Sequence, residues 1–204
     1  MTDPAPEIPY ESAPAGALAR LVATLGEDGA RRDLPPVERW NPAYCGEIDM
    51  RIAADGTWFY NGTPIGRPAL VKLFASVLRK DPDRFVLVTP VERVGVVVEE
   101  APFQAVEMAL EGEGAGRRIA FRTNVDDLVS VDADHPLRFE RDPAGGVKPY
   151  VRVRGDLWAR ATRALAYDLV DLGEERDVDG QAVFGLSAAG CFFPIAPASE
   201  TAGA

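Results

Sequence analysis

The chain has few of the side chains on which most catalytic and metal sites depend. It contains one histidine, His135, and two cysteines, Cys45 and Cys191, which lie far apart. Two cysteines in no metal-like spacing indicate neither a disulfide framework nor a zinc site, and they fit a reduced, cytoplasmic setting. Most catalytic zinc sites also use a second histidine, which this chain lacks.

Long apolar runs and an excess of positive charge are also missing. No run reaches the roughly 18 apolar residues of a membrane-spanning helix, and the acidic, proline-rich segment 1–16 has no apolar core typical of a signal peptide. The formal charge of −10 disfavours non-specific binding to nucleic acid or to an anionic membrane. Any site for an anion must therefore be a local positive patch.

Glycine and proline, 19 and 17 residues, divide the rest of the chain into short segments. We predict a flexible leader at 1–12, an N-terminal α+β domain at 13–90, a second α+β domain at 91–195 and a flexible tail at 196–204. Strand patterns predominate without a regular βαβ alternation, which favours an α+β fold with mostly antiparallel sheets.

Two long helices are predicted among the strands, one from Pro68 to about Lys80 and one from about Asp156 to Leu172. The acidic segment 174–179 is predicted to be a loop. A faint likeness between residues 51–59 and 185–193 indicates a duplicated motif. The predicted strands are Glu47–Ile52, Thr57–Tyr60, Arg84–Thr89, Glu92–Glu99, Phe103–Leu110, Arg117–Thr123, Leu128–Val131, Leu137–Glu140, Tyr150–Arg154, Ala182–Ser187 and Cys191–Ile195.

Six short motifs occur in an order that resembles one bacterial family. They are DGTWFYNGTPI (55–65), LVKLF (70–74), LVTPVE (87–92), FRTN (121–124), HPL (135–137) and PYVRV (149–153). Over residues 30–195 the chain resembles the family called domain of unknown function 1285. The resemblance implies a two-part α+β protein with a duplicated motif, a C-terminal part loosely similar to pleckstrin-homology-like sheets, and a binding cleft between the parts. It implies a signalling or regulatory role and no catalytic residues.

The first candidate site is a group of carboxylates beside the single histidine. Its members are Asp126, Asp127, Asp132, Asp134 and His135. A divalent metal bound here could support a metal-dependent hydrolase. The segment lacks the order of an EF-hand loop, and aspartates are standard turn formers, so turn chemistry is the favoured interpretation. The sequence indicates no cofactor.

The second candidate site comes from two segments, Arg67–Arg84 and Lys148–Arg163, in which basic residues outnumber acidic ones. Arginine forks suit phosphate or carboxylate groups, and tyrosines offer stacking faces. We expect Tyr150, Arg152 and Arg154 on one strand face, and Arg160, Arg163 and Tyr167 on one helix stripe. The predicted ligand-binding residues are Tyr60, Arg67, Lys72, Tyr150, Arg152, Arg154, Arg160 and Arg163.

These patterns favour a non-catalytic regulatory protein. It would bind an anionic small molecule, a nucleotide or a partner segment in a cleft between its two halves. The alternatives are the metal-dependent hydrolase and a scaffold protein whose sheet edge pairs with another chain. A plainer interpretation of the basic segments is that they form solvated helix faces and ion pairs with the many acids. The oligomeric state stays open.

Overall fold

The computed structural model describes residues 34–142 and 146–198. The predicted leader lies outside the described residues, as do residues 199–204 of the predicted tail. The chain divides into two compact units. The N-terminal unit extends to residue 53 and continues from 57 to 99, and the C-terminal unit takes up 54–56 and the chain from 100 onward.

The N-terminal unit is a six-stranded sheet with one helix. Its strands are β1 (Tyr44–Ile52), β2 (Trp58–Tyr60), β3 (Thr63–Pro64), β4 (Leu78–Lys80), β5 (Phe85–Val88) and β6 (Arg93–Val98), and its helix is α1 (Pro68–Ser76). The strand order is β3-β2-β1-β6-β5-β4. The central β1 and β6 are parallel, and the other neighbours are antiparallel.

The C-terminal unit contains a second six-stranded sheet, a helix and a smaller sheet. The elements are β7 (Phe103–Glu111), β8 (Arg118–Thr123), β9 (Leu128–Ser130), β10 (Leu137–Arg141), β11 (Val147–Arg154), β12 (Leu157–Ala161), α2 (Arg163–Asp171), β13 (Glu174–Val178), β14 (Gln181–Ala188) and β15 (Cys191–Pro197). The large sheet has the order β10-β11-β12-β7-β8-β9, and β13-β14-β15 form an antiparallel sheet.

The two large sheets repeat one strand order. Read from β9, the second sheet runs β9-β8-β7-β12-β11-β10, which matches the first sheet position by position. In each sheet the first and sixth strands are the parallel central pair. The duplication is thus visible in topology. The likeness between 51–59 and 185–193 does not mark it, because the second segment lies in β14 and β15, outside the repeated sheet.

Both helices are shorter than predicted. The first is followed by a strand that the sequence did not predict. Helix α1 stops at Ser76, whose hydroxyl donates to the Leu73 carbonyl at 2.7 Å. The predicted last helical turn is β4 instead. Val77 and Leu78 are fully buried neighbours, and adjacent buried apolar residues fit a strand as well as a helix.

The first part of the second predicted helix is also a strand. Alternate positions of β12 are buried, which is the period of a strand and not of a helix. Gly155, with φ of 49°, makes the turn that leads from β11 into β12. Thr162 has extended backbone, and the helix begins only at Arg163. Arg160 therefore lies on β12 and not on the predicted helix stripe with Arg163.

Three further boundaries differ from the sequence analysis. Strand β6 pairs with β1 and β5, so the units divide between Glu99 and Glu100 and not after residue 90. The segment predicted as an acidic loop is β13, which pairs along its whole length with β14. Strand β15 extends to Pro197, into the predicted tail.

Each unit has its own apolar core. In the N-terminal unit the rings of Trp58 and Phe74 stack with centroids 6.4 Å apart, and both are buried. In the C-terminal unit α2 buries Leu165 and Leu169 and packs against β7, β11 and β12. Each such side chain contributes about 1.5–3 kcal/mol through burial. Neither described helix is both long and apolar enough to cross a membrane.

Candidate functional site

A row of polar side chains crosses one face of the large C-terminal sheet. The register places Arg138, Tyr150, Arg160 and Gln104 opposite one another on β10, β11, β12 and β7. Residues that are directly opposite in neighbouring strands share a sheet face. The positions that alternate with this row are largely apolar and buried, so the row lies on the other face of the sheet, where Tyr150 is also buried, at 2% exposed.

Glu100 binds two members of this row. Its carboxylate accepts hydrogen bonds from the Tyr150 hydroxyl at 2.9 Å and from Lys148 Nζ at 3.0 Å, and it pairs with Arg160. Burial opposes ionisation of Glu100, but the hydrogen bonds from Lys148 and Tyr150 outweigh it and hold the pKa of Glu100 below its ordinary value. Two predicted ligand-binding residues therefore hold a carboxylate that the chain itself supplies.

A pocket of about 400 Å³ adjoins Arg160 at the N-terminal end of α2. The pocket is lined by Ala54, Asp55, Gln104, Arg160, Ala161, Thr162 and Arg163. Thr162 is the N-cap residue, and its side chain makes no capping hydrogen bond. The start of α2 is the positive end of the helix dipole, and it adds to the positive charges of Arg160 and Arg163 at this pocket.

Arg163 is the exposed cation of this pocket. Its Nε and one terminal nitrogen donate to the Tyr167 hydroxyl at 3.2 and 2.9 Å, one helical turn away. This bond raises the pKa of Arg163. Because the hydroxyl is neutral, the bond orients the guanidinium and leaves its positive charge in place. Arg160, by contrast, is paired with Glu100.

The other predicted residues of β11 are separated from the pocket. A register shift lies between Arg152 and Arg154, so the expected alternation with Tyr150 ends there. Arg154 donates to Asp127 at 2.6 Å, and Arg152 donates to the carbonyl of Gly155. The structure therefore brings together Tyr150 with Arg160 and Arg160 with Arg163, and it places Arg154 elsewhere.

The three predicted residues of the N-terminal unit lie around α1 and β2. Tyr60 is the half-buried last residue of β2, before an Asn61-Gly62 turn with φ of 48° and 71°. Arg67 is the exposed N-cap residue of α1, and Lys72 is exposed on that helix. Their role in ligand binding, and the expectation of one cleft shared with the C-terminal residues, stay predictions.

Comparison with known proteins covers both units. A family model described as the N-terminal domain of unknown function DUF1285 matches residues 35–101, and the model of the C-terminal DUF1285 domain matches 102–195. The chain belongs to the DUF1285 family. The resemblance found in the sequence motifs is confirmed.

Solved structures of DUF1285 proteins are similar to this chain. The crystal structure of a DUF1285 family protein from Silicibacter pomeroyi DSS-3 is 46% identical, with 88% of this chain and 97% of that chain covered and a TM-score of 0.79. A second, from Shewanella baltica OS155, is 28% identical, with 61% and 92% covered and a TM-score of 0.49. A search of curated proteins gives no match.

In this DUF1285 chain the carboxylates beside His135 form a turn. One Asp132 oxygen accepts the backbone N–H groups of Asp134 at 2.9 Å and of His135 at 2.7 Å, and it lies 3.1 Å from His135 Nδ1. The bond from the His135 backbone is the main cause that lowers the pKa of Asp132. Within residues 34–142 and 146–198, no group of three or more His, Cys, Asp or Glu side chains could hold a metal ion. The hydrogen bonds of Asp132 are those of a turn, whereas Asp126 pairs with Arg122 and Asp127 with Arg154.

Sequence reasoning missed Glu100, Gln104 and Thr162. Thr162 carried a usable signal, because threonine directly before a helical pattern is a good N-cap. No local pattern marked Glu100, because its donors Tyr150 and Arg160 lie 50 and 60 positions further along the chain. Gln104 likewise enters the pocket only through the parallel pairing of β7 with β12.

Proposed function

We propose that the protein is a non-catalytic regulatory protein that binds a small anionic molecule in the pocket at the start of α2. The observation that supports this most strongly is that Arg160, Arg163 and the helix N-terminus at Thr162 line one pocket. Guanidinium forks and the positive end of a helix dipole both complement phosphate and carboxylate groups.

The size and walls of this pocket narrow the ligand class. A volume of about 400 Å³ falls within the roughly 300–1,000 Å³ of small-molecule sites. Gln104 is fixed at the pocket by a hydrogen bond from its side-chain nitrogen to the Ala54 carbonyl at 2.9 Å. Asp55 also lines the pocket, and its charge repels polyanions. We therefore favour an organic acid or a nucleoside monophosphate over a polyphosphate.

The regulatory part of the proposal rests on the family resemblance. That resemblance implies a signalling role and a C-terminal part similar to pleckstrin-homology-like sheets. The cytoplasmic setting rests on the two cysteines, which are not disulfide-bonded in the described structure. The pocket itself offers the hydrogen-bond donors of Arg160 and Arg163 and the carboxylate of Asp55. These groups are suited to holding a ligand.

A thermal-shift series on the full chain tests this proposal. We expect AMP, succinate or inorganic phosphate to raise the Tm of the wild-type protein, because a ligand at about 100 times its Kd stabilises the native state by about 2.7 kcal/mol. The variant Arg163→Gln should lose that rise. Arg118→Gln, which removes another exposed arginine of the same unit, should keep it. No ligand-specific rise in the wild type relative to sodium chloride of equal ionic strength would count against the proposal.

A further inference from the structure

We infer that the N-terminal unit holds a separate binding site for the carboxylate group of a small organic acid. The site is a pocket of about 270 Å³ at the β4–β5 turn and the beginnings of β1 and β6. It is lined by Tyr44, Asp81, Pro82, Asp83, Arg84 and Arg93. None of these residues belongs to the pocket at α2, so the inference goes beyond the proposed function.

Two buried polar atoms of this pocket lack hydrogen-bond partners within the described part of the chain. They are the Tyr44 hydroxyl oxygen and Arg93 Nε. Buried polar groups in proteins are nearly always hydrogen-bonded. Two unpartnered groups from residues that line the same pocket therefore mark where an acceptor from outside the chain would bind.

Arg93 is held in an orientation that suits a carboxylate. One of its terminal nitrogens donates to Asp81 at 3.0 Å, and the other Asp81 oxygen accepts from Arg79 at 2.7 Å. Arg79 is itself buried and donates to the carbonyls of Val37 and Trp40. Nε is the atom of this guanidinium that is buried without a partner among the described residues, and the Nε edge of an arginine forms paired bonds with carboxylates.

Arg84 can supply a second guanidinium. Its Nε and one terminal nitrogen donate to the adjacent Asp83, whose side chain is 65% exposed. The hydrogen bonds to Asp83 are the main cause that raises the pKa of Arg84, and the nearby Tyr44 is the second cause. The Tyr44 hydroxyl lies close to Arg84 but forms no hydrogen bond of normal geometry with the described residues. An exposed ion pair between neighbours contributes little stability, so Arg84 can exchange Asp83 for a ligand.

The charge around the pocket fits a ligand with one negative charge. The cations are Arg79, Lys80, Arg84 and Arg93, and the nearby acids are Glu47, Asp81 and Asp83. The cluster is positive by one charge in a chain whose formal charge is −10. Pro82 adds an apolar wall, and the guanidinium of Arg84 lies over the ring of Tyr44, 4.7 Å from its centroid. Gly95 permits the placement of Tyr44, because a Cβ there would lie 2.6 Å from the hydroxyl oxygen.

Calorimetric titration of the full chain with benzoate and acetate tests the inference. We expect saturable binding to the wild type and, in Tyr44→Phe and Arg93→Lys, binding weaker by roughly tenfold or more, because each loses a hydrogen bond to a charged group. Unliganded Tyr44→Phe should keep or exceed the wild-type Tm, since it loses a buried hydroxyl without a partner. Tyr44→Phe keeps the test valid if Arg93→Lys fails to fold.

Arg163→Gln separates this site from the pocket at α2. It should keep one saturable site for benzoate and acetate, the site that Tyr44→Phe and Arg93→Lys weaken. The inference is overturned if neither acid binds the wild type saturably, if both Tyr44→Phe and a folded Arg93→Lys bind like the wild type, or if Arg163→Gln abolishes binding. Saturable binding of inorganic phosphate to Arg163→Gln, in place of both acids, would overturn the carboxylate assignment.

Discussion

At the scale of single residues, Glu100 determines the contacts of two predicted ligand-binding residues, Tyr150 and Arg160. Tyr150 and Arg160 both bind its carboxylate, and Lys148 is the third donor. The Glu100 side chain is 18% exposed, so these contacts are partly shielded from water and from salt. We conclude that this cluster fixes the polar row of the sheet and leaves Arg163 as the less constrained cation of the pocket.

Replacing Glu100 with glutamine should destabilise the protein by about 1–3 kcal/mol. The variant keeps the shape of the side chain but removes the charge that Lys148 and Arg160 share. Urea unfolding at neutral pH measures the difference. Glu111→Gln is the matched control, because its arginine partner lies 3.9 Å away and both side chains are exposed. A loss of stability equal to that of the control would contradict this account of Glu100.

The effect of Glu100 should also depend on pH. The pKa of Glu100 in the folded protein is below its ordinary value of 4.5, so its contribution is fully present above that value and lost as the pH falls below it. The stability difference between the wild type and Glu100→Gln should therefore shrink between about pH 6 and pH 3. A difference that stays constant over this range would show that the charge is not its source.

At the scale of elements, the β14–β15 hairpin depends on a close approach at Gly185. A Cβ at this position would lie 2.5 Å from the Phe192 ring and 2.6 Å from the Phe193 carbonyl oxygen. The pairing register shifts between Phe184 and Gly185. Since a backbone atom cannot move aside as a side chain can, β15 must shift to accept any larger residue.

Gly185→Ala should therefore destabilise the protein by about 1–3 kcal/mol. Thermal and urea unfolding measure the loss. Gly66→Ala is the control, because a Cβ there meets no atom within 4 Å, and we expect a change within about 0.5 kcal/mol. Equal stabilities of the two variants would show that β15 adapts to the methyl group.

The elements also show where sequence patterns suffice and where they do not. The Asp55-Gly56 hairpin was predictable because its turn chemistry is local. Strands β4 and β12 were not: the adjacent Val77 and Leu78 fit either element, and the spacing of Trp158 and Ala161 fits a helical face although the buried positions alternate. Only the pairing of β4 with β5, and of β12 with β11 and β7, selects the strand. Tertiary pairing therefore decided the two elements that a local pattern left ambiguous.

At the scale of the whole molecule, pairing between distant strands explains why the sequence predicted the fold class better than it predicted the site. Local patterns indicated most strands and the predominance of antiparallel pairing. The parallel pairs β1 with β6 and β7 with β12 join segments distant in sequence. Those pairs place Arg93 beside Tyr44 and Gln104 beside Arg160. Composition identified the cations, but only the register determined their neighbours.

The net charge of the molecule predicts its behaviour towards nucleic acid. At a formal charge of −10, the long-range field repels the phosphate backbone, so we expect no binding to duplex DNA at micromolar protein and about 0.15 M salt. Fluorescence anisotropy with a labelled duplex measures this. Micromolar binding that weakens steeply with added salt would reveal a basic surface that the overall charge conceals.

The central claim is that the pocket at the N-terminus of α2 binds an anion. A ¹H–¹⁵N NMR titration of the full chain with AMP tests it most directly, because backbone amides report where a ligand lies. We predict saturable shifts centred on Gln104 and the amides of residues 160–165, and their loss in Arg163→Gln. Saturable shifts confined to other parts of the chain, or none at millimolar AMP, would contradict the claim.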